Sequence, residues 1–315
     1  MRYYIGMDVG GTYARLKLAD AHGQVLGTYE NKGGTITSTS YETVRERYHT
    51  LIKRALDAHH LSAKDCVGLC LGASGIDTDA LRVKYTQMLE SFEFGKNIIF
   101  PYNDCELLLE LYPKQPCVAI IAGTGSIIMS RKATGEIVRY GGWSYLLSDE
   151  GSASYIIRKA IEAVVRYWDG YGDCGILANL FEKETEMRNQ QEASTYFIDH
   201  IRQKEMISRY APLVEKAALL NDPTALHILE TAAERLFIGT KVVVNQIDLM
   251  QQPLVVLLWG SVLMKNAFVP TRLRALIQAN FPNSQVVSLE QSAVDCALDI
   301  AKRLGEEVSI CLKTS

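Results

Sequence analysis

Apolar and alternating runs separated by glycine-rich turns open the chain. Residues 3–9, YYIGMDV, form an apolar run typical of a buried strand, and residues 14–20, ARLKLAD, alternate apolar and polar positions. The GGT sequence at 10–12 predicts a tight turn between them, and HGQ at 22–24 predicts a second turn. The pattern therefore predicts an antiparallel meander of three strands, which differs from the strand-to-helix start of a dinucleotide-binding unit.

The same plan recurs in the middle of the chain, over CVAIIAGTGSIIMSRKATGEIVRYGG at 117–142. An apolar strand leads into the turn GTGS, a second strand leads into the turn ATGE, and a third strand follows. The sequence therefore uses one supersecondary plan twice.

Other strands and helices are predicted by the period of the apolar residues. Strands are predicted at 66–74, 97–104 and 253–262. Helices are predicted at 41–59, 79–92, 105–112, 152–168 and 223–247. In the helix at 41–59 the apolar face consists of Val44, Tyr48, Leu51, Ile52, Ala55 and Leu56. Residues 170–210 are polar and receive no functional assignment.

Length and composition indicate a globular chain of two lobes. The 315 residues exceed what one hydrophobic core usually organises, so a cleft between two lobes is the expected site. Hydrophobic residues make up 48% and charged residues 22%, and a net charge of -3 argues against a nucleic-acid binder.

Targeting signals and cysteine spacing favour the cytoplasm. The start lacks the apolar core and cleavage site of a signal peptide, and the longest apolar run is too short to span a bilayer, so no membrane partner is expected. The seven cysteines are scattered and contain no CxxC pair, which favours free thiols in a reducing compartment.

Each meander places a glycine-tolerant turn with a hydroxyl side chain where backbone N–H groups could cradle a phosphate. A hairpin without function is the alternative for either turn alone, but two copies in matching contexts favour nucleotide binding. The predicted phosphate-binding residues are Gly10, Gly11 and Thr12 in the first turn and Gly123, Thr124 and Gly125 in the second.

Only the first turn has a carboxylate beside it. Aligning the two turns places Asp8 opposite Ile120. One carboxylate suffices to hold a hydrated Mg²⁺ that bridges the phosphates, so Asp8 is the predicted metal residue.

DVGGT, GTGS and the late LWGSV resemble the two phosphate loops and the adenosine-side loop of the fold shared by actin, hexokinase and the heat-shock chaperone ATPases. The segment YGGWSYLLSDEGSASYIIRKAI at 140–161 resembles the GGWG…GDEGSA segment of N-acetylglucosamine kinases and of ATPases that activate benzoyl-CoA reductases. The motifs recur in family order from residue 8 to about 263.

The resemblance implies a two-lobe actin/hexokinase-like (ribonuclease H-like) α/β fold, each lobe a mixed sheet flanked by helices. The expected lobes are residues 1–116 and 117–288, with Pro113 and Pro116 marking the boundary. A last helix within 289–306 is expected to pack on the first lobe through Ala293, Ala297, Ile300, Ala301 and Leu304. The resemblance also implies ATP as cofactor, Gly260 and Ser261 on its adenosine side, and a homodimer.

Asp104 is the predicted catalytic base. It lies where a strand ends and a helix begins, and open sheets bind ligands at the carboxyl ends of their strands. A helix cap is the alternative role for this aspartate. The family's catalytic aspartate precedes the second phosphate loop, as Asp104 does, which favours proton transfer from a sugar hydroxyl. Asn103 is expected to help orient the site.

The resemblance also implies sugar contacts. Asp149 matches an aspartate that binds sugar hydroxyls, with a helix-cap role as the alternative, and Glu150 is left as a cap or a solvent-facing residue. Trp143 either packs on the sugar or lies in the core. The remaining expected contacts are Asn31, which could align in several ways, Ser74, Asn103, Ser126, Ile127, Gly142 and Ser144.

Departures from the family pattern concern the sugar. Ile127 stands where these kinases often show asparagine, while Ser144 and Ser148 replace glycines. An isoleucine side chain makes no hydrogen bond, so one sugar contact is lost or relocated. The expected reaction is phosphorylation of N-acetylglucosamine to its 6-phosphate, with glucosamine, glucose and N-acetylmuramate as open alternatives.

Two other functions compete with the kinase. An ATPase that activates a reductase or dehydratase would hold an iron–sulfur cluster between subunits, and it would need cysteines at the interface. An actin-like or chaperone-like binding protein would need subdomains that this length barely accommodates.

Overall fold

The computed structural model describes residues 1–185, 187–200, 203–247 and 253–314. The chain forms two compact units, each with its own sheet. Unit 1 contains Met1–Pro113 and Glu290–Ser315, and unit 2 contains Lys114–Leu289.

Unit 1 is built on a five-stranded mixed sheet in the order β3-β2-β1-β4-β5. The strands are β1 (Tyr3–Val9), β2 (Tyr13–Asp20), β3 (Val25–Lys32), β4 (Cys66–Ala73) and β5 (Ile99–Tyr102). β1, β2 and β3 pair antiparallel, which confirms the predicted meander. β4 pairs in parallel with β1, and β5 pairs in parallel with β4. The sheet therefore gathers the carboxyl ends of β1, β4 and β5 at one edge.

The helices of unit 1 are α1 (Tyr41–Asp57), α2 (Asp79–Glu90), α3 (Asp104–Leu109) and α12 (Ala293–Thr314). α1 begins where the Ser40 side chain accepts from the Thr43 N–H, and it buries all six residues of the predicted apolar face. α3 is shorter than the predicted helix at 105–112. β5 is also shorter than predicted, because the Asn103 side chain already caps α3.

Unit 2 has a second mixed sheet in the order β10-β9-β6-β7-β8. Its strands are β6 (Cys117–Ala122), β7 (Ser126–Arg131), β8 (Ile137–Gly141), β9 (Leu254–Trp259) and β10 (Ser284–Ser288). β6 to β8 form the second predicted meander, and β9 pairs in parallel with β6. The prediction missed β10, whose sequence SQVVS is short, polar at both ends and only partly buried.

Helices flank this sheet. They are α4 (Ala153–Trp168), α5 (Gly175–Thr185), α6 (Gln190–His200), α7 (Lys204–Ser208), α8 (Pro212–Leu219), α9 (Pro223–Ile247), α10 (Ser261–Lys265) and α11 (Val269–Asn280). The predicted strand at 253–262 is wrong beyond Trp259, because Gly260 turns the chain into α10 with φ of 98°. The described residues contain no helix long and apolar enough to cross a bilayer.

α12 packs on the sheet of unit 1 through backbone contacts at glycine. Ala293, Ala297, Ile300 and Ala301 are buried as predicted, whereas Leu304 is half-buried. A Cβ at Gly68 of β4 would lie 2.2 Å from the Ala301 carbonyl oxygen. Because Gly68 has no side chain, α12 can approach the sheet this closely.

Gly68→Ala should destabilise the protein by about 1–3 kcal/mol or more, because the methyl group meets the backbone of α12 and the helix must shift. The midpoint of urea unfolding measures the change. Gly95→Ala is the matched control in unit 1, since a Cβ there has its nearest neighbour at 3.8 Å. Equal midpoints for the two variants would contradict this packing.

Candidate active site

The first cluster of predicted residues lies in unit 1, at the edge where the parallel strands end. Asp8 in β1 pairs with Gly72 in β4, and Gly72 pairs with Tyr102, the last residue of β5. Ser74 directly follows β4, and its N–H donates to the Val9 carbonyl at 3.3 Å. The predicted metal residue, one predicted sugar contact and the predicted base thus end at the same edge.

Asp8 and Asp104 influence each other electrostatically. Burial, first, and the negative charge of Asp104, second, raise the pKa of Asp8 from 3.8 to about 6, while Arg15 lowers it. Two carboxylates that disfavour each other's ionisation form a site that suits a cation.

The raised pKa of Asp8 predicts a pH-dependent stability. A carboxyl group whose pKa is higher in the folded protein stabilises it below pH 4 and loses that contribution as the pH rises through 6. Asp8→Asn should therefore be more stable than the wild type at pH 7.5, by about 2–3 kcal/mol, and similar to it near pH 4.

Thermal melting at pH 4 and pH 7.5 tests this expectation, with the exposed Asp57→Asn as control. Loss of stability in Asp8→Asn at both pH values would contradict it and would assign Asp8 a folding role.

Asp104 is the first residue of α3, and Asn103 provides the cap. The Asn103 side-chain oxygen accepts from the Cys105 N–H at 2.9 Å, and Asp104 Oδ1 accepts from the same N–H at 2.9 Å. Asn103 Nδ2 donates to Asp77 Oδ1 at 3.0 Å. Sequence reasoning missed Asp77, although it is the acidic residue of the GASGID segment that supplied Ser74.

The first phosphate turn rests on a second glycine pair that sequence reasoning also missed. Gly33 N–H donates to the Thr12 carbonyl at 2.8 Å, and Gly34 N–H donates to the Gly10 carbonyl at 3.0 Å. A Cβ at Gly33 would lie 2.4 Å from the Gly10 oxygen. The glycine pair directly after β3 is the sequence feature that could have indicated this contact. Gly11 and Thr12 remain exposed.

Asn31 makes its hydrogen bonds within unit 1. Its Nδ2 donates to the Arg47 carbonyl at 3.1 Å, and its side-chain oxygen accepts from the Lys32 N–H at 2.9 Å. The structure thus ties Asn31 to the backbone of β3 and α1.

The second phosphate turn lies at the start of α4 in unit 2. Ala153 N–H donates to the Gly123 carbonyl at 2.8 Å, and Ser154 Oγ donates to the Thr124 carbonyl at 2.6 Å. On the other side, a Cβ at Gly123 would lie 3.7 Å from Ser261 Oγ, and one at Gly260 would lie 2.5 Å from the Ala122 oxygen. The turn and the predicted adenosine-side residues are therefore neighbours.

Asp149 lies against this turn. Its side chain is buried, and a Cβ at Gly125 would lie 2.5 Å from Asp149 Oδ2. Ser152, not Asp149, caps α4, because its Oγ accepts from the Tyr155 N–H at 3.1 Å. The helix-cap alternative for Asp149 is wrong, and its carboxylate is placed beside Gly125.

A hydrogen bond joins Ser126 to Glu150. Ser126 Oγ donates to the Glu150 carbonyl at 2.7 Å. The Glu150 carboxylate accepts from Tyr140 OH at 3.1 Å and lies 3.7 Å from an Arg235 nitrogen. Glu150 is therefore not the cap of α4, and its side chain is 32% exposed beside Arg235.

Trp143 is 61% exposed, so the core interpretation is wrong. The Arg139 guanidinium lies 3.9 Å from the centroid of its ring and donates to the carbonyls of Gly141 and Gly142 at 2.9 and 2.6 Å. A Cβ at Gly142 would meet Arg139 and the buried Ile127, each at 2.8 Å. One face of the indole is thus occupied by Arg139.

The two serines that replace family glycines build the turn after Trp143. Ser144 has φ of 144°, a conformation that glycine adopts more readily. Its carbonyl accepts from the N–H groups of Leu147 and Ser148, each at 2.9 Å, and Ser148 Oγ accepts from the Trp143 N–H at 2.9 Å. Ser144 and Ser148 therefore form a hydrogen-bonded turn directly after Trp143.

A protein family and a known crystal structure are similar to this chain. The sequence model of the BadF/BadG/BcrA/BcrD ATPase family matches residues 5–298. The crystal structure of a candidate N-acetylglucosamine kinase from Chromobacterium violaceum has a TM-score of 0.70 at 22% identity and covers 96% of this chain and 99% of that chain. The predicted fold class, with two mixed sheets flanked by helices, is confirmed.

Two curated relatives are similar in sequence. An N-acetylmuramic acid/N-acetylglucosamine kinase from Clostridium acetobutylicum is 27% identical over 304 residues, which span 96% of this chain and 99% of that protein. A glucosamine kinase from Vibrio cholerae is 23% identical over 241 residues, which span 74% of this chain and 78% of that protein.

Proposed function

The chain belongs to the BadF/BadG/BcrA/BcrD ATPase family, and we propose that within it this protein is a kinase that phosphorylates an amino sugar with ATP. The observation that carries the proposal is the joint position of Asp8, Ser74, Asn103 and Asp104 at the carboxyl edge of β1, β4 and β5. A kinase needs a hydroxyl that accepts the phosphoryl group, and this edge presents Asp8 for a hydrated cation and Asp104 as a base for that hydroxyl.

The two glycine-rich turns are assigned to ATP. We assign the phosphates to the turns at 10–12 and 123–125, whose glycines leave room for close approach. Gly260 and Ser261 lie beside the second turn and are assigned to the adenosine side.

Asp8 is assigned to Mg²⁺ through water. The described residues contain no group of three or more His, Cys, Asp or Glu side chains that could hold a metal ion, so a hydrated ion bound mainly by phosphate oxygens fits better than a protein cage. When bound, the ion neutralises charge on the phosphates. Because the pKa of Asp8 is about 6, its carboxylate is available for this role at neutral pH.

Asp104 acts on the sugar hydroxyl. The hydroxyl oxygen forms a bond to the γ-phosphorus, its proton passes to Asp104, and the bond between the γ-phosphorus and the bridging oxygen breaks to release ADP. Asn103, held by Asp77, and Ser74 would hold sugar hydroxyls on the same side.

The sugar-binding residues of unit 2 would be Asp149, Ser126, Gly142, Trp143 and Ser144. A hydroxyl bound by a buried carboxylate is discriminated strongly from an analogue that lacks it, and an exposed indole offers an apolar face or edge to the sugar. One curated relative is named for N-acetylated amino sugars and the other for glucosamine, which supports an amino sugar as the substrate. We propose N-acetylglucosamine, phosphorylated at the 6-hydroxyl. Ile127 is buried at Gly142 and would shape the pocket rather than bind a hydroxyl.

A cytoplasmic homodimer completes the proposal. Both properties rest on the family resemblance, and the cytoplasm also rests on scattered cysteines without a CxxC pair. The iron–sulfur alternative is disfavoured by cysteine burial. Six of the seven cysteines are buried and Cys311 is exposed, whereas a cluster held between subunits needs cysteines at the surface.

A panel of sugars tests the proposed substrate. ADP release should be fastest in kcat/KM with N-acetylglucosamine when it is compared with glucosamine, glucose and N-acetylmuramate at fixed ATP and Mg²⁺. A higher value with another of these sugars would reassign the substrate, and no stimulation by any of them would contradict the kinase.

A further inference from the structure

The short helix α3, which begins with Asp104, carries two acidic side chains that are almost entirely buried. Glu106 lies within the helix and Glu110 is its C-cap, and each side chain is only 8% exposed. They stand four residues apart, so they lie on one side of the helix. A helix of six residues is not stable by itself, so its neighbours determine where Asp104 lies.

Each glutamate is paired with an arginine from a different helix. Arg82 of α2 forms an ion pair with Glu106 through Nη2, and its Nη1 donates to the Pro101 carbonyl in β5 at 2.9 Å. One guanidinium therefore joins the helix that follows Asn103 to the strand that precedes it.

At the other end of α3, Arg303 of α12 holds Glu110. Its Nη2 donates to Glu110 Oε2 at 2.8 Å and to the Glu110 carbonyl at 3.0 Å. Both the side chain and the backbone at the end of α3 are thus fixed to α12.

Apolar packing and ion pairs hold α3 in different ways. Leu107 packs on the sheet, where a Cβ at Gly72 would lie 2.9 Å from its Cδ2 atom. Such a contact holds the helix against the sheet but has no directional preference along it, whereas hydrogen-bonded ion pairs do. Buried ion pairs add little net stability compared with apolar pairs of the same size, so stability does not explain them.

We propose that Arg82, Glu106, Arg303 and Glu110 are positioning residues that fix Asp104 for proton transfer. The inference rests on the proposed function of Asp104. It predicts that removing a whole pair changes the chemical step more than it changes folding or substrate binding.

The test replaces each pair by apolar residues of similar size. Arg82→Met/Glu106→Leu should lower kcat about 10- to 100-fold, since a misplaced catalytic group costs rates of this order, while KM for ATP and for sugar stay within about twofold. Arg303→Met/Glu110→Leu should act in the same direction but less strongly, because Glu110 is farther along the helix from Asp104. Lys53→Met/Asp57→Leu removes an exposed ion pair of α1 and serves as the matched control.

Two further variants keep the proposal testable if a double variant fails to fold. Arg82→Lys keeps the charge and should recover part of kcat, and Glu106→Gln should lower kcat with KM unchanged. Folded variants whose kcat equals that of the control would overturn the positioning role, as would losses confined to KM. A wild-type protein without sugar-stimulated ATP turnover would instead overturn the proposed function itself.

Discussion

Asp104→Asn should lower sugar-dependent ATP turnover by about two to four orders of magnitude, because the amide keeps the size of the side chain but cannot accept the hydroxyl proton. The cap of α3 comes mainly from Asn103, so the helix should survive the change. ATP affinity measured by calorimetry should stay within a few-fold of the wild type, and the loss should appear in kcat.

The exposed Asp57→Asn is the control for the loss of one negative charge in unit 1. Near-normal turnover in Asp104→Asn would show that another group accepts the proton. Loss of ATP binding together with turnover would show that Asp104 acts on the nucleotide.

Asp149→Asn should lower kcat/KM for the sugar by about 100-fold or more and leave ATP affinity unchanged. Its carboxylate is buried beside Gly125, and the substitution turns the proposed acceptor for sugar hydroxyls into a donor–acceptor amide. Glu150→Gln is the matched control, because the neighbouring carboxylate binds Tyr140 and Arg235 instead.

Sugar titrations at saturating ATP measure this effect. Equal losses in the two variants would indicate that both residues only maintain the fold around α4. Reduced ATP affinity in Asp149→Asn alone would assign its carboxylate to the second phosphate turn.

The meanders and the long helices could be predicted from sequence because each is specified by neighbouring residues. The alternating run in β2 and the six-residue apolar face of α1 carry their periods within one element. β10 could not be predicted in this way. It is a strand because β9 offers it a partner, and the residues 284–288 alone show no strand pattern.

In the candidate site too, residues marked by the local sequence could be predicted, and residues whose roles depend on distant contacts could not. Motif glycines and Asp104 were identifiable because they lie at turns and strand ends, which the local pattern marks. Asp77 and Gly33 were missed because their roles come from contacts with Asn103 and Gly10, distant in sequence. Trp143 could be core or surface by pattern, and the structure places it at the surface, where Arg139 stacks on its ring.

The destination of the γ-phosphate tests the central claim most directly. With ATP labelled at the γ-phosphate, Mg²⁺ and N-acetylglucosamine, the label should leave ATP as a sugar phosphate and not as inorganic phosphate. Asp104→Asn should form that product about two to four orders of magnitude more slowly. Label recovered only as inorganic phosphate, at a rate that no sugar changes, would contradict the kinase and favour an ATPase that drives another reaction.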